Sequence, residues 1–371
     1  MDRANAALAH YLLARGHEVH LVGHEIAAPL EHHRGARVHE VARPRGLPAL
    51  AERMLGRTGR AVARAVVAAD DRARVVVNGG NCPWPDINWV HAVHAAWPVF
   101  DEGAPWWART RARRLKKIAV DRERAALRAA AVVIANSETT RRAVIDRVGL
   151  ASARARTVYL GSSPDWGVPD AAERADARAW LGLPPDVPVV VFVGALGNDI
   201  NKGFDRLWRA WTDLARSGSW DARLVVAGGG WRVAHWQAEA ARTFGDGHVQ
   251  FLGFTPKVRE ILAAGDLLVS PVRYEAYGLN VHEALCRGLA VMVTESAGVT
   301  ERFDAGMAAS LLPHGATADQ IAQRLRAWRA DTAGWRARAA PTAARLRARS
   351  WDAMAADFVA AAMQPEAQAT A

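Results

Sequence analysis

The chain has 371 residues, a length that suits two domains, each able to bury a substantial apolar core. Hydrophobic residues make up 50% and charged residues 23%, which excludes a fibrous protein and predicts disorder only after Met363. The formal net charge of +10 would ordinarily favour nucleic acid as a partner. The basic residues are nearly all arginines, however, and they are scattered over every predicted helix, so we predict no nucleic-acid binding.

The two cysteines, Cys82 and Cys286, lie far apart and lack the paired spacing of a zinc site or a disulfide framework. This favours a reducing compartment. The sequence also lacks an apolar run long enough to span a bilayer, and its start lacks a signal pattern. We therefore predict a cytoplasmic location, with peripheral attachment to the inner face of the membrane as an addition discussed below.

Short runs of β-branched residues recur between longer helical stretches, as they do in βαβ units. The first series comprises residues 18–23, 74–78, 87–93, 131–136 and 156–160. The second series comprises residues 188–193, 223–227, 249–254, 267–272, 290–294 and 310–312. The sequence therefore predicts an α/β fold of two doubly wound, Rossmann-like domains that face a cleft.

The domain boundaries follow from composition. Residues 161–187 are rich in Gly, Pro, Asp and Ala and form the best linker candidate. We predict an N-terminal Rossmann-like domain over 1–165, a C-terminal Rossmann-like domain over 166–345, and a terminal segment over 346–371. Trp351, Met354, Ala355 and Phe358 share one face of a predicted helix in that segment, and we expect this face to pack on the N-terminal domain.

The start of the chain departs from the doubly wound pattern. Residues 1–13 predict an amphipathic helix and residues 18–23 the strand that follows it, whereas a doubly wound domain opens with a strand and a glycine-rich turn. We expect an N-terminal sheet without its opening strand. A start codon assigned about 15–20 residues too far downstream would explain the missing strand, and a truncated, inactive protein is the alternative.

One stretch is densely basic and follows Trp106 and Trp107. Its members are Arg109, Arg111, Arg113, Arg114, Lys116 and Lys117, with Arg122 and Arg124 beyond them. A solvated helix face explains such a run, and so does docking of Arg109 to Lys117 on an anionic lipid surface or on a phosphorylated acceptor. Both interpretations remain open.

The most informative segment is a predicted strand at 267–272, then a loop, then a helix that begins near Leu279. Gly278 in the loop would allow the backbone N–H groups of Gly278, Leu279 and Asn280 to point at a ligand, and this geometry binds phosphate. Glu275 lies on the loop and Glu283 about one turn into the helix. Carboxylates accept hydrogen bonds from sugar hydroxyls, although a surface charge and a helix-dipole partner are the structural alternatives.

Glu275 and Glu283 together form a Glu-x7-Glu pattern that resembles retaining glycosyltransferase family 4, whose two Rossmann-like halves are called the GT-B fold. Further stretches resemble elements of the same family, so that the resemblance covers nearly the whole chain: residues 136–140, 158–161, 192–194, 202–205, 226–229 and 251–254.

The resemblance implies a hexosyltransferase that moves a sugar from a nucleotide-sugar to a glycan, lipid-linked or small-molecule acceptor with retention of configuration. It implies Glu275 on the sugar hydroxyls, Glu283 on the ribose and Lys202 on the diphosphate. The scarcity of lysine supports Lys202 independently, because the chain has only four lysines. No cofactor or metal is expected, since the sequence contains no Asp-x-Asp pair.

The matching stretches also assign Tyr277, Gly194, Gly253 and Arg273 to the donor site. One departure from the family is visible, because relatives carry an arginine shortly after the glycine that matches Gly194, and this chain has Ala195 there. Arg273 or Arg206 could supply the second cation.

On the acceptor side, His94 lies where relatives place an active-site histidine, and His91 is the better candidate for a core histidine. Trp84, Trp89 and Trp97 could stack on an acceptor or pack in the core. Two other functions remain open: a sugar-nucleotide 2-epimerase with a similar fold, and a degenerate transferase that binds without catalysis.

Overall fold

The computed structural model describes residues 2–98, 106–197, 200–244 and 247–364. The chain forms two compact units. The first comprises Met1–Ala96, Arg113–Gly161 and Arg349–Ala371, and the second Trp97–Ala112 and Ser162–Ala348. These bounds lie close to those predicted from composition, but residues 97–112 group with the second unit, which the sequence did not indicate.

The first unit alternates helices and strands as βαβ units do, except that β3 is followed directly by β4. Its elements, with α4 reaching back into the second unit, are α1 (Asp2–Leu13), β1 (Val19–Gly23), α2 (Ala28–Glu31), β2 (Ala36–Glu40), α3 (Pro48–Ala69), β3 (Val76–Asn78), β4 (Ile87–Val90), α4 (Trp106–Ala129), β5 (Val132–Ala135), α5 (Glu138–Ala143) and β6 (Ala155–Thr157).

The strands of the first unit form two separate parallel sheets. One contains β1 and β2, and the other has the order β3-β4-β5-β6. The first described element is a helix, as expected, and among the described residues no strand joins β1 to β3. Strand β2 was missed by the sequence analysis, because Arg37, His39 and Glu40 leave it too polar to read as a strand.

The elements of the second unit are β7 (Val189–Val193), β8 (Arg223–Ala227), β9 (Val249–Gly253), β10 (Leu267–Ser270), β11 (Ala290–Thr294) and β12 (Leu311–Leu312), with helices α6 (Ala171–Trp180), α7 (Phe204–Arg216), α8 (Val233–Phe244), α9 (Val258–Ala264), α10 (Leu279–Cys286), α11 (Ala318–Ala330) and α12 (Thr332–Ala348). All six strands are parallel, in the order β12-β11-β10-β7-β8-β9.

The sequence of the second unit shows why this sheet is covered on both faces. Strand β7 is the continuous apolar run Val-Val-Val-Phe-Val, which is typical of a parallel strand buried on both sides. Helix α7 has its apolar side chains at helical spacing, with Leu207, Trp211 and Leu214 fully buried. The predicted fold class, two Rossmann-like α/β units, is confirmed.

The last helix, α13 (Trp351–Met363), belongs to the first unit and packs on α1 and β5. Its Phe358 ring lies 4.5 Å from the ring of Trp89 on β4, and both side chains are buried. The chain therefore returns to the first unit after α12. Gly161 and Ser350, which flank the two passages between units, are so close that a Cβ on Gly161 would lie 2.5 Å from the Ser350 carbonyl oxygen.

Candidate functional site

The strand order of the second unit locates its site. The chain runs from β7 to β8 and β9 on one side and then returns to β10, β11 and β12 on the other. The strand order thus reverses between β7 and β10, and ligands of open α/β sheets bind at such a switch point, beyond the carboxyl ends of the strands. Lys202 follows β7 and Glu275 follows β10, so the two predicted residues flank this point.

Lys202 and Glu275 form an ion pair in which Nζ lies 2.6 Å from Oε2, and both side chains are partly buried. Lys202 ends a single 3-10 turn, Ile200–Lys202. The next residue, Gly203, has φ +70°, and a Cβ there would lie 1.9 Å from the carbonyl oxygen of Pro271. Only glycine permits this approach, which draws the lysine toward the loop after β10.

Glycines keep the edge next to Lys202 open. A Cβ on Gly194 would meet the Phe192 ring at 3.2 Å and Cγ of Lys202 at 3.3 Å. The backbone of Gly228 lies against that of Gly194, since a Cβ on Gly228 would be 1.8 Å from the Gly194 carbonyl oxygen. Gly253, at the end of β9, accepts a hydrogen bond from the Gly228 N–H at 2.8 Å. The structure thus brings Gly194 and Gly253 to the edge that Lys202 occupies.

Helix α10 begins beside Glu275. Gly278 is its N-cap with φ +102°, and a Cβ on it would lie 3.4 Å from Cγ of Glu275. Leu279 and Asn280 are the first two helical residues, whose N–H groups have no acceptor within a helix. The Asn280 side chain donates to the carbonyl of Val193 at 3.0 Å, which joins the helix start to the end of β7. This terminus favours an anion.

Glu283 is the fifth residue of α10 and is buried, with 8% of its surface exposed. An ionised side chain is buried only where other groups compensate its charge. It lies about one turn from Gly278, on the helix whose first N–H groups are predicted to bind phosphate, and its contact with a ribose also stays a prediction.

Arg273 has a carboxylate partner. Its guanidinium binds Asp205 through two hydrogen bonds, of 2.8 and 2.6 Å, and also donates to the carbonyl of Ile200 at 2.6 Å. Burial would raise the pKa of Asp205, but the hydrogen bonds from Arg273 outweigh it and hold that pKa below its usual value. Arg206 is half-buried nearby, where burial and the Arg273 charge lower its pKa. Arg273 is therefore held by Asp205, a residue the sequence analysis did not single out.

Tyr277 is buried, with 2% of its surface exposed, and its hydroxyl lies 2.7 Å from Nδ1 of His282. The side chain therefore supports the loop from the protein side, and its contact with a donor stays a prediction.

In the first unit, His94 opens a single 3-10 turn, His94–Ala96, and its Nδ1 lies 2.8 Å from Oε1 of Glu123 on α4. The same oxygen accepts the backbone N–H of His94 at 3.1 Å. The Glu123 side chain is 1% exposed and that of His94 is 42% exposed. The hydrogen bond to Glu123 raises the pKa of His94. The sequence analysis missed Glu123; its signal is an acid on the buried side of a mostly basic helix, close to Ala126 and Leu127.

The other acceptor-side candidates differ in burial. Burial lowers the pKa of His91 to about 3, which agrees with a neutral core histidine. Trp89 is fully buried and packs in the core, whereas Trp84 is half-buried. The Trp97 ring stacks on Tyr274, the residue before Glu275, with centroids 5.9 Å apart and planes inclined by 27°.

The basic run lies on α4 and combines with apolar side chains. Trp107, Leu115 and Ile118 are 58%, 56% and 41% exposed, and at 100° per residue they fall on one face of the helix together with the exposed Arg111 and Arg114. Among the residues that the structure describes, no helix is long and apolar enough to cross a membrane.

Two Rossmann-like units, the second with a lysine, two carboxylates and a helix N-terminus near its switch point, define a two-domain α/β protein. Residues 1–166 match the family model Glycosyltransferase Family 4, and residues 187–331 match the model Glycosyl transferases group 1. The chain belongs to this family of glycosyltransferases, as its Glu-x7-Glu pattern indicated. These matches do not favour the 2-epimerase alternative.

Curated relatives agree with this assignment, and a solved structure agrees with the fold. The chain is 29% identical over 52% of its length to the alpha-D-kanosaminyltransferase of Streptomyces kanamyceticus, of which it covers 49%. It is 31% identical over 34% of its length to soluble starch synthase 1 of Solanum tuberosum, of which it covers 20%. The solved structure of WaaG, a glycosyltransferase involved in lipopolysaccharide biosynthesis, superposes with a TM-score of 0.77 at 20% identity and covers 96% of this chain and 95% of that one.

Proposed function

We propose that the protein transfers a hexosyl group from a nucleotide-sugar to a glycan, lipid-linked or small-molecule acceptor, with retention of configuration and without a metal. The observation that carries this proposal is the Lys202–Glu275 pair beside the start of α10, at the switch point of the second unit. Retention rests on family membership, since no distance in the structure bears on it.

The chemistry assigns a role to each group. The bond between the anomeric carbon and the diphosphate oxygen breaks, the acceptor oxygen bonds to that carbon, and the acceptor proton leaves with the diphosphate. Negative charge develops on the diphosphate, where Lys202 and the N–H groups of Gly278 to Asn280 stabilise it by fixed electrostatics. Glu275 accepts hydrogen bonds from the donor sugar and Glu283 from the ribose. The stacked rings of Trp97 and Tyr274, beside Glu275, suit a sugar of the acceptor.

A donor screen tests the proposal. The unfolding temperature would be measured with UDP, GDP, ADP and their sugars, because a ligand at a hundred times its dissociation constant stabilises a protein by about 2.7 kcal/mol. Release of the nucleoside diphosphate from the donor that binds would then be followed with and without candidate acceptors. We expect Glu275→Ala to abolish release and Asp213→Ala, at an exposed acid on α7, to leave it unchanged. A wild type that binds a donor without ever releasing the diphosphate would favour the degenerate, non-catalytic alternative.

We further propose that α4 docks on an anionic membrane surface. An exposed helix face that carries both apolar side chains (Trp107, Leu115, Ile118) and arginines supports this interpretation over a merely solvated one. Cosedimentation with vesicles tests it. Binding should require an anionic phospholipid, fall with salt, and be lost in Leu115→Ser/Ile118→Ser, whereas Val168→Ser, at a 59%-exposed side chain elsewhere, should bind as wild type. Equal binding by both variants would contradict the proposal.

A further inference from the structure

We infer that His282 is a positioning residue for the loop between β10 and α10. It fixes Tyr277 and Gly278 in that loop by joining them to Ser162 and Leu346, near the two ends of the second unit. This inference rests on the proposed function. His282 lies on α10, is 1% exposed, and has a hydroxyl on each ring nitrogen. The Tyr277 hydroxyl is 2.7 Å from Nδ1, and Oγ of Ser162 is 2.6 Å from Nε2.

The hydrogen bonds of Ser162 determine which atom donates in its bond to His282. Its hydroxyl donates to the carbonyl of Leu346 at 2.7 Å, so the single Ser162 proton is already used. His282 must therefore donate from Nε2 to Oγ. In a neutral ring Nδ1 then accepts from the Tyr277 hydroxyl. The Cys286 thiol, 3.4 Å from Oγ, can donate to the same oxygen. Both ring nitrogens of His282 are thus engaged.

This series of hydrogen bonds runs from the boundaries of the second unit to the start of α10. Ser162 is the first residue of the Ser162–Ala348 segment, and Leu346 lies two residues before the end of that segment. At the other end, Tyr277 precedes Gly278, whose φ of +102° begins α10. His282 therefore connects both boundary segments of the second unit to the loop that presents the phosphate-binding N–H groups.

Burial gives these bonds their effect. A hydrogen bond contributes about 1 kcal/mol net, but a buried group that loses its partner suffers the desolvation cost as well. Gly278 is held in the left-handed region at the end of this loop. The buried Tyr277 side chain precedes it directly, and its hydrogen bond to His282 therefore holds the loop at this point. Loss of the anchor should misplace the Gly278 to Asn280 amides and weaken the hold on the diphosphate, while the rest of the sheet stays folded.

A double-mutant cycle tests the role of His282. Tyr277→Phe and Ser162→Ala each remove one hydroxyl, and we expect each to raise the Kd of whichever of UDP, GDP or ADP binds the wild type, and the donor KM, by about 5-fold. The double variant should resemble the single variants, because either change frees the same ring. His282→Leu should reproduce this effect. The matched control is Thr342→Val, which removes a fully buried hydroxyl that donates to Asp304 at 2.8 Å; it should lower the unfolding temperature without a change in Kd.

The outcomes are distinct. Additive effects in the double variant, or lower unfolding temperatures with an unchanged Kd, would overturn the positioning role and leave the proposed function standing. A wild type that neither binds these diphosphates nor releases them from a donor would overturn the proposed function, and with it the role of His282.

Discussion

Nζ of Lys202 lies 2.6 Å from Oε2 of Glu275, so the two groups that are proposed to hold different parts of the donor neutralise each other's charge. A bound diphosphate would compete with Glu275 for the ammonium and release the carboxylate to the sugar.

Replacement of the lysine should damage catalysis more than folding. We expect Lys202→Ala to lower kcat/KM for transfer by about 100- to 1,000-fold, the loss of about 2.7–4 kcal/mol that follows removal of one preorganised group from a charge-developing site. Lys202→Arg should recover part of the rate, and Lys257→Ala, at another lysine of the same unit, should retain all of it. Steady-state kinetics measure both. An unchanged rate in Lys202→Ala would mean that another cation contacts the diphosphate, and Arg206 would be the next residue to test.

Glu283 should act on binding. We expect Glu283→Gln to raise the Kd of the nucleoside diphosphate by about 10-fold, the weakening expected when a charged hydrogen-bond acceptor becomes neutral. Calorimetric titration gives the Kd directly. The comparison is Glu275→Gln, which should lose turnover but bind the nucleotide almost as well as wild type. The opposite result, with Glu275→Gln weak in nucleotide binding and Glu283→Gln normal, would exchange the two roles.

The glycine before α7 should be irreplaceable for a reason other than its positive φ. Gly203→Ala places a Cβ 1.9 Å from the Pro271 carbonyl oxygen, whereas at Gly218, with a similar φ of +73°, a Cβ meets nothing within 4 Å. Gly218→Ala should cost about 1–2 kcal/mol of left-handed strain. Gly203→Ala should cost this and the overlap, and it should also reduce transfer by displacing Lys202. Denaturant unfolding of both variants, with activity alongside, measures the difference; equal losses would contradict it.

His94 and Glu123 predict a pH dependence. The raised pKa means that the folded state holds the His94 proton more tightly than the unfolded state, whose value is near 6.5. The stabilisation is complete below pH 6.5 and is lost as pH rises through the raised value. Glu52 adds to the effect and Lys116 opposes it. The unfolding-temperature gap between wild type and Glu123→Gln should therefore shrink from pH 6 to pH 8, and an NMR titration of His94 in Glu123→Gln should show a lower pKa. A gap that is constant with pH would refute the charged pair.

Transfer should survive EDTA. The proposed chemistry assigns the developing diphosphate charge to Lys202 and to backbone N–H groups, so removal of divalent ions should leave the rate within about 2-fold. The assay would compare the rate with EDTA to the rate after Mg²⁺ or Mn²⁺ is added back. A complete loss that a metal restores would mean that a cation, and not the lysine alone, stabilises the leaving group.

Local patterns in the sequence predicted the strand, loop and helix that carry Glu275, Gly278 and Glu283, because these elements form one continuous segment. The donor contacts of these residues stay predictions. Partners from distant segments could not be predicted. Glu123 lies 29 residues from His94, and Asp205 lies 68 residues from Arg273. Such pairs are set by tertiary packing, which periodicity and local composition do not encode. Strand β2 was missed for a different reason, since an edge strand with exposed polar side chains lacks the apolar run that marks a buried one.

The scarcity of lysine has a practical consequence for chemical probing. The four lysines lie at three places: Lys116 and Lys117 on α4, Lys202 at the switch point, and Lys257, whose ammonium lies 4.7 Å from the Trp180 ring centroid. An amine-selective acylating reagent read by peptide mass spectrometry would therefore report on the two proposed contacts separately. Nucleoside diphosphate should slow labelling at Lys202, anionic vesicles should slow it at Lys116 and Lys117, and Lys257 should serve as the internal reference for both.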